Sequence, residues 1–288
     1  MARLYTDIVP ESRSSDDPPP PLPEDVKAVR SGSFGAVANH YERYRPGPPE
    51  DAVAWLLPES VGTVVDLGAG TGALTRLLGA HANQVVAVEP DDRMRSVLVD
   101  EVAGVTAVDG RGEALPLEDR SVDAVLASSS WHWMDPMATL IEVHRVLIPG
   151  GVLGVLWTGP DRAGPFMERV RALLGGGADG VDGVPEAGRL RDTIGEDLQR
   201  TDYALEIPPG LPFATPEYRA FVWEMGMTAD ELIGLLGTLS WIITMEPTER
   251  DEVLEIARVV LRDRFGVDDD VTIDVTFRCD AFRSRTTG

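Results

Sequence analysis

The stretch Val64-Val65-Asp66-Leu67-Gly68-Ala69-Gly70-Thr71-Gly72-Ala73-Leu74 constrains the fold more than any other part of the chain. Two β-branched residues and an acid predict the end of a buried strand. Glycines at alternate positions predict a tight turn, and Leu74, Leu77 and Leu78 at helical spacing predict a helix opening from it. Bare backbone at a helix N-terminus lets a ligand press against N–H groups, so the unit reads as a nucleotide site. Gly68, Gly70 and Ala73 also satisfy the G-x-G-x-x-G/A fingerprint of dinucleotide binding, and the glycines alone do not choose the nucleotide. Asp66 adds a carboxylate two residues before the first glycine, where it can face a cationic amino group, and Gly72 opens the turn further.

The chain downstream alternates strands and helices. Gln84 to Val88 is a short apolar strand followed by Glu89 and Pro90. Glu89 lies about 20 residues beyond Asp66, the spacing at which an acid accepts from ribose hydroxyls. Asp91 caps the next helix, whose buried face is Met94, Val97 and Leu98. A third strand, Val105 to Val108, leads into the turn Gly110-Arg111-Gly112-Glu113-Ala114-Leu115-Pro116. A fourth, Ser121 to Ser128, runs into Ser129-Ser130-Trp131-His132-Trp133-Met134-Asp135-Pro136. In an open parallel sheet this end of a strand lines the ligand crevice. Asp135 and Pro136 then start a helix that Pro149-Gly150-Gly151 breaks, and Val152 to Trp157 is a fifth strand.

With Asp66 and Gly72 included, the opening stretch resembles motif I of class I S-adenosylmethionine (SAM) dependent methyltransferases. Gly110 to Pro116 resembles that family's Gly-Asp-Ala-Glu-x-Leu-Pro turn. His132-Trp133, the Arg145 to Gly151 run Arg-Val-Leu-x-Pro-Gly-Gly and the strand ending in Trp157 are similar to the small-molecule branch (methyltransferase type 11) that includes the trans-aconitate type. The resemblance implies an α/β fold, a Rossmann-like doubly wound seven-stranded sheet with the last strand antiparallel and a helical cap insertion. It implies SAM as cofactor, S-adenosylhomocysteine as product, no metal, and a small-molecule substrate as partner. It assigns Asp66, Gly68, Ala69 and Gly70 to the methionine portion, Glu89 and Pro90 to the ribose, and Met94, Gly112 and Glu113 to the adenine border, with Ser128 alongside. Phe34 to Pro46 resembles the lid helix of such enzymes, which places Tyr41 and Arg45 over the cofactor. Arg111 departs from the family's Asp, and an Arg cannot accept from the adenine amino group.

Trp131, Trp133, Trp157 and Trp241 are candidate substrate-binding residues. His132 is a candidate general base or hydrogen-bonding group for the acceptor; a structural histidine bonded to its neighbours is the competing reading. Residues 1–30, rich in Pro and Asp, read as a flexible tail, and 31–288 as the catalytic domain, with a substrate cap within about 160–265. In that region Pro165 to Leu174 reads as a helix, Gly175 to Gly183 as a loop and Leu190 to Leu198 as a short helix. Tyr203 to Ile207 reads as the sixth strand and Tyr218 to Met225 as an extended or helical piece. Thr228 caps a helix that Ser240 to Ile242 end, Pro247 to Arg264 is another, and Val271 to Phe277 is the last strand. Trp223, Met225, Trp241 and Met245 either line the cap or pack its core.

A formal net charge of −22 argues against nucleic acid or an anionic membrane as partner. The single cysteine, Cys279, excludes a disulfide framework, and four scattered histidines suggest no metal site. There is no apolar signal core and no run of bilayer-spanning length, which predicts a cytoplasmic enzyme, monomer or homodimer. Three alternatives remain open: a macromolecule methyltransferase, a SAM-binding protein that does not transfer methyl, and an NAD-dependent oxidoreductase.

Overall fold

The computed structural model describes Val29, residues 32–175 and residues 204–287. The tail apart from Val29, most of the Gly175 to Gly183 loop, the Leu190 to Leu198 helix and Tyr203 lie outside the described residues. Seven strands form one sheet in the order β3-β2-β1-β4-β5-β7-β6. They are β1 (Thr63–Leu67), β2 (Gln84–Val88), β3 (Thr106–Val108), β4 (Val122–Ser128), β5 (Leu147–Pro160), β6 (Glu217–Met227) and β7 (Ile273–Arg285). The first five pair in parallel, and β7 inserts antiparallel between β5 and β6.

Strands β1 and β4 and the middle of β5 are buried on both faces, which explains their continuous apolar runs. Helices α2 (Glu50–Leu56) and α3 (Ala73–Leu78) cover one face, packing Val53, Leu56, Leu74 and Leu78 against Val64, Leu126, Val152 and Leu156. Helix α4 (Asp92–Glu101) begins at its Asp91 cap. On the other face, α5 (Pro136–Val146) packs Leu140, Val143 and Val146 against Val65, Leu67, Val125 and Val155. As expected, Asp135 caps α5, accepting from Ala138 N–H, and Pro136 is its first residue. Asp123, which no motif indicated, accepts from Gly62 and Thr63 N–H and secures the start of β1.

β6 and β7 continue past the shared sheet and carry a second apolar cluster. Met227, Val275 and Phe277 meet α6 (Pro165–Gly175), α7 (Ala229–Leu236), α8 (Ser240–Ile243) and α9 (Pro247–Val260) through Phe166, Leu232, Trp241, Ile242 and Val253. Thr228 and Glu231 form a complete capping box for α7.

Three local expectations need correction. Residues 204–207 are not a strand: Pro208, Pro209, Pro212 and Pro216 deny the next stretch a ladder, while Leu205 and Phe213 pack into the core from irregular backbone. The sixth strand is instead Glu217–Met227, whose alternation is blurred because it is a sheet edge with one face partly exposed. Ser240 to Ile242 do not end α7; Gly237 ends it, and they open α8.

Gly154 tests the packing at the sheet centre. A Cβ there would overlap Leu126 Cδ2 and come within 3.2 Å of Leu56 Cδ2. Gly154→Ala is expected to destabilise the protein by about 1–3 kcal/mol, the usual cost of overpacking, read as a lower urea midpoint with unchanged slope.

Candidate active site

Strand order reverses between β1 and β4, so their carboxyl ends frame the crevice that such sheets use for ligands. Asp66, fully buried near the end of β1, accepts a 2.6 Å hydrogen bond at Oδ2 from Thr75 Oγ1 in α3. Its Oδ1 is also buried and has no partner. Burial, opposed by the Thr75 hydrogen bond and reinforced by the nearby Glu89, pushes its pKa from an ordinary 3.8 up to about 7.

The turn after β1 is held by backbone. Gly68 and Ala69 N–H both donate to Val88 O at the end of β2, at 2.8 and 3.1 Å. Gly68 has φ +68°, and a Cβ there would lie 2.5 Å from Ser130 Cβ. Gly70, φ +57°, donates its N–H to Glu89 Oε2 at 2.8 Å, while Asp91 N–H donates to Oε1 at 3.0 Å. Burial raises the Glu89 pKa; these two backbone donors act against it. Two bonds leave the carboxylate accepting capacity for further hydroxyls. Met94 is buried beside Gly70. Pro90 is exposed.

The turn after β4 is tied to β1 and β5. Ser129 has left-handed backbone, φ +52°, uncommon for a residue with a side chain. Its N–H donates to Leu156 O, and Ser130 Oγ donates to Leu67 O at 2.7 Å. Ser128 ends β4 half-buried; Trp131 is buried in the main core. His132 and Trp133 are half-buried with ring centroids 4.4 Å apart. Trp157, buried near the end of β5, donates its indole N–H to His132 Nδ1 at 3.2 Å.

The loop after β3 is pinned by Glu142 and by Arg145, which motif reading noted without assigning it this role. Arg145 donates to Leu115 O and Leu117 O and pairs with Glu142, which accepts from Leu115 N–H. Gly112 lies where a Cβ would meet Met134 Sδ at 2.7 Å and Thr139 Oγ1 at 2.8 Å. Glu113 accepts from Asp135 N–H and so supports the start of α5. Arg111 is exposed.

The expected lid is a 3₁₀ turn, Phe34–Val37, running into α1 (Ala38–Tyr44). It touches both halves of the molecule. Phe34 meets Tyr41 and Trp133 edge-on, at 5.6 and 5.9 Å. Arg93 in α4 donates to Gly32 O, and Glu42 pairs with Arg76 in α3. Arg45 lies over Tyr41 and reaches Thr158 O at 3.5 Å. On the cap side, Tyr44 OH donates to Asp230 at 3.0 Å and His40 Nε2 donates to Gly234 O at 3.0 Å. Trp241 lies in the cap cluster with its indole N–H buried and unpartnered. Trp223 stacks on Phe277 in the same cluster, where Met225 and Met245 also pack. Among the described residues no group of His, Cys, Asp and Glu is arranged to hold a metal. No helix among them is long and apolar enough to cross a membrane.

Thr75, Ser130 and Arg145 are the supporting residues missed from sequence. Thr75 had a signal: a hydroxyl on the first turn of α3, facing back toward Asp66.

Comparison with known proteins bears on the family and the fold. A methyltransferase-domain family model matches residues 65–155. An uncharacterized methyltransferase of Mycobacterium tuberculosis is 37% identical over 229 residues, covering 80% of this chain and 85% of the relative. An uncharacterized methyltransferase-like protein of Schizosaccharomyces pombe is 30% identical over 239 residues, covering 80% and 88%. A solved structure from Anaeromyxobacter dehalogenans, assigned as a type II methyltransferase, superposes with TM-score 0.62 at 24% identity, covering 85% of this chain and 99% of that one, which supports the fold.

The raised Asp66 pKa has a consequence for stability. Between about pH 4 and 7 the folded chain holds a proton at Asp66 that the unfolded chain has released. Stability therefore falls as pH rises through that window and levels off above it, by at most roughly 4 kcal/mol at 1.36 kcal/mol per unit. Glu89 contributes with the same sign. Asp66→Asn is expected to flatten most of this fall and to melt higher than the wild type near pH 8, followed by thermal denaturation across pH.

Proposed function

Because this chain belongs to the class I SAM-dependent methyltransferases, we propose that it moves a methyl group from SAM to a small-molecule acceptor held beneath its helical cap. The observation that carries the cofactor half is the buried, unpartnered Oδ1 of Asp66 beside bare glycine backbone. A buried carboxylate with an unused oxygen is costly unless a cation meets it, and the ammonium of a methionine moiety fits that need.

In this reading Asp66 with Gly68, Ala69 and Gly70 holds the methionine portion, and Glu89 receives the ribose hydroxyls beside Pro90. Met94 supplies an apolar surface to the adenine, bordered by Gly112 and Glu113, with Ser128 at the end of β4. Glu113 acts there through the loop it braces, since its carboxylate supports α5. SAM, when bound, supplies a methyl group already activated by its sulfonium. The chain has to align the acceptor with that group and keep water out. Phe34, Tyr41 and Trp133 form an aromatic wall between the N-terminal segment and the β4 turn. Such faces stabilise a nearby cation by about 0.5–2 kcal/mol. Arg45 closes the same side.

A small acceptor is favoured over a macromolecule by how the chain covers this end of the sheet. The N-terminal segment bridges α3 and α4 to α7, and the strong net acidity disfavours RNA or DNA. On the acceptor side Trp157 acts behind His132, and Trp131 supports the turn from the core. Trp241 offers a buried indole N–H to an acceptor oxygen; its orphaned donor favours this over a purely structural role.

Two measurements test the reading. SAM or S-adenosylhomocysteine, but not NAD, is expected to raise the melting temperature in proportion to RT ln(1 + [L]/Kd). Asp66→Asn and Glu89→Ala are expected to lose that shift, although the first starts from a more stable protein. Incubation with methyl-labelled SAM and pooled small metabolites is expected to label a low-mass product; label found only in protein or RNA would defeat the small-acceptor reading. Trp241→Phe is expected to raise KM for that acceptor several-fold with little change in melting temperature. A large loss of stability with unchanged KM would return Trp241 to the core.

A further inference from the structure

The contact between Trp157 and His132 bears on the chemistry at the acceptor. An indole N–H can only donate. Its partner, His132 Nδ1 at 3.2 Å, must therefore carry a lone pair, and a neutral imidazole with its lone pair on Nδ1 carries its proton on Nε2. Nor is the donor free to turn away. Trp157 is buried in the main core, its ring meets Phe282 edge-on at 6.0 Å, and its backbone is laddered to Asp280 of β7. His132 is equally constrained. It sits in the 3₁₀ turn Trp131–Trp133, whose ends are tied by Trp133 N–H to Ser130 O and Met134 N–H to Trp131 O, and whose root is fixed by Ser130 Oγ on Leu67 O.

We propose that Trp157 is a positioning residue that locks His132 in the Nε2–H tautomer, so that this ring can act in the site as a hydrogen-bond donor at Nε2 and not as a general base. The proposal rests on the acceptor site assigned above. It deepens that assignment: an acceptor atom that meets Nε2 must accept a hydrogen bond there. With no base at this ring, the acceptor arrives with its attacking electron pair already free, as a carboxylate or an enolate does.

The test begins with a readout that needs no acceptor. The full chain is labelled with ¹⁵N-histidine, saturated with S-adenosylhomocysteine, and its long-range ¹H–¹⁵N correlations are recorded. Only four histidines are present, and the His132→Gln spectrum identifies the signal that belongs to His132. An Nε2–H pattern at neutral pH is expected. A Trp157→Phe protein that melts normally is expected to show a tautomer mixture at the same ring. An Nδ1–H pattern, an imidazolium, or an unchanged Nε2–H signal in Trp157→Phe would overturn the lock.

The second readout uses whichever small acceptor the labelled-methyl screen yields. Gln keeps an N–H donor near the position of Nε2 but has no basicity. His132→Gln is expected to hold kcat/KM within about tenfold of wild type, and His132→Ala to lose about a hundredfold, the scale of one positioned hydrogen-bond donor. Gln falling as far as Ala would restore the base. If no small acceptor is found, the acceptor reading fails while the tautomer result stands, so the two failures are told apart.

Discussion

A carboxylate kept out of water sets the terms for this half of the molecule. Asp66 lies at the end of a central strand, with parallel neighbours on both sides and one hydroxyl from α3 as its fixed partner. The Thr75 hydrogen bond opposes the burial penalty and does not cancel it. The native fold therefore keeps an electrostatic cost at the place where two strand ends part. Glu89, one strand over, adds to the same negative potential. In the proposed reading the cofactor's positive charge relieves this cost, which links binding to stability through one pair of groups. The glycine turn follows from the same constraint. It must bring backbone N–H groups up to Glu89 and Val88 while leaving room for Ser130, and side chains at Gly68 would prevent it.

The second organising fact is that the molecule has two apolar clusters of different construction. The main core is a twice-covered parallel sheet. The cap is a set of short helices raised on the overhang of β6 and β7. The N-terminal segment ties one to the other. Its links are single hydrogen bonds, half-exposed ion pairs and edge-on ring contacts. The Tyr44–Asp230–Arg258 chain is typical, with Asp230 held below the usual carboxylate range by the Tyr44 hydroxyl and then by Arg258. Exposed pairs of this kind contribute little to stability. Gly234 lets Tyr44 seat directly on the α7 backbone.

What could be read from sequence follows the same division. Strands β1 to β5 and their caps were legible because burial writes unbroken apolar runs, and Asp91 and Asp135 begin their helices by local chemistry alone. The cofactor candidates were legible because a glycine turn with flanking acids needs few residues close together. The cap was harder. β6 is an edge whose apolar face meets helices only along part of its length, so its pattern suits strand or helix. Leu205 and Phe213 enter the core from a proline-broken segment that carries no period at all. Of the residues that hold the site in shape, Thr75 lies nine positions from its partner, whereas Ser130, Arg145 and Asp123 reach partners far off in sequence, and nothing in their neighbourhoods announces them.

The acceptor side adds a different kind of constraint. His132 was visible as a histidine between two tryptophans, and from that pattern a base and a donor are equally plausible chemistry. What separates them is the direction of one N–H bond on a residue 25 positions away. That direction is set by β5, by the edge of Phe282 and by the core beneath, none of which is local to the motif. The turn itself carries a residue in left-handed backbone at Ser129, a cost of about 1–3 kcal/mol that persists only where surrounding bonds over-determine it. Here they do: hydrogen bonds to Leu67 and Leu156 hold the turn to β1 and β5. A flexible loop would let His132 choose its tautomer to suit each acceptor. In the proposed reading a turn fastened this firmly chooses in advance, and the acceptor must conform to it.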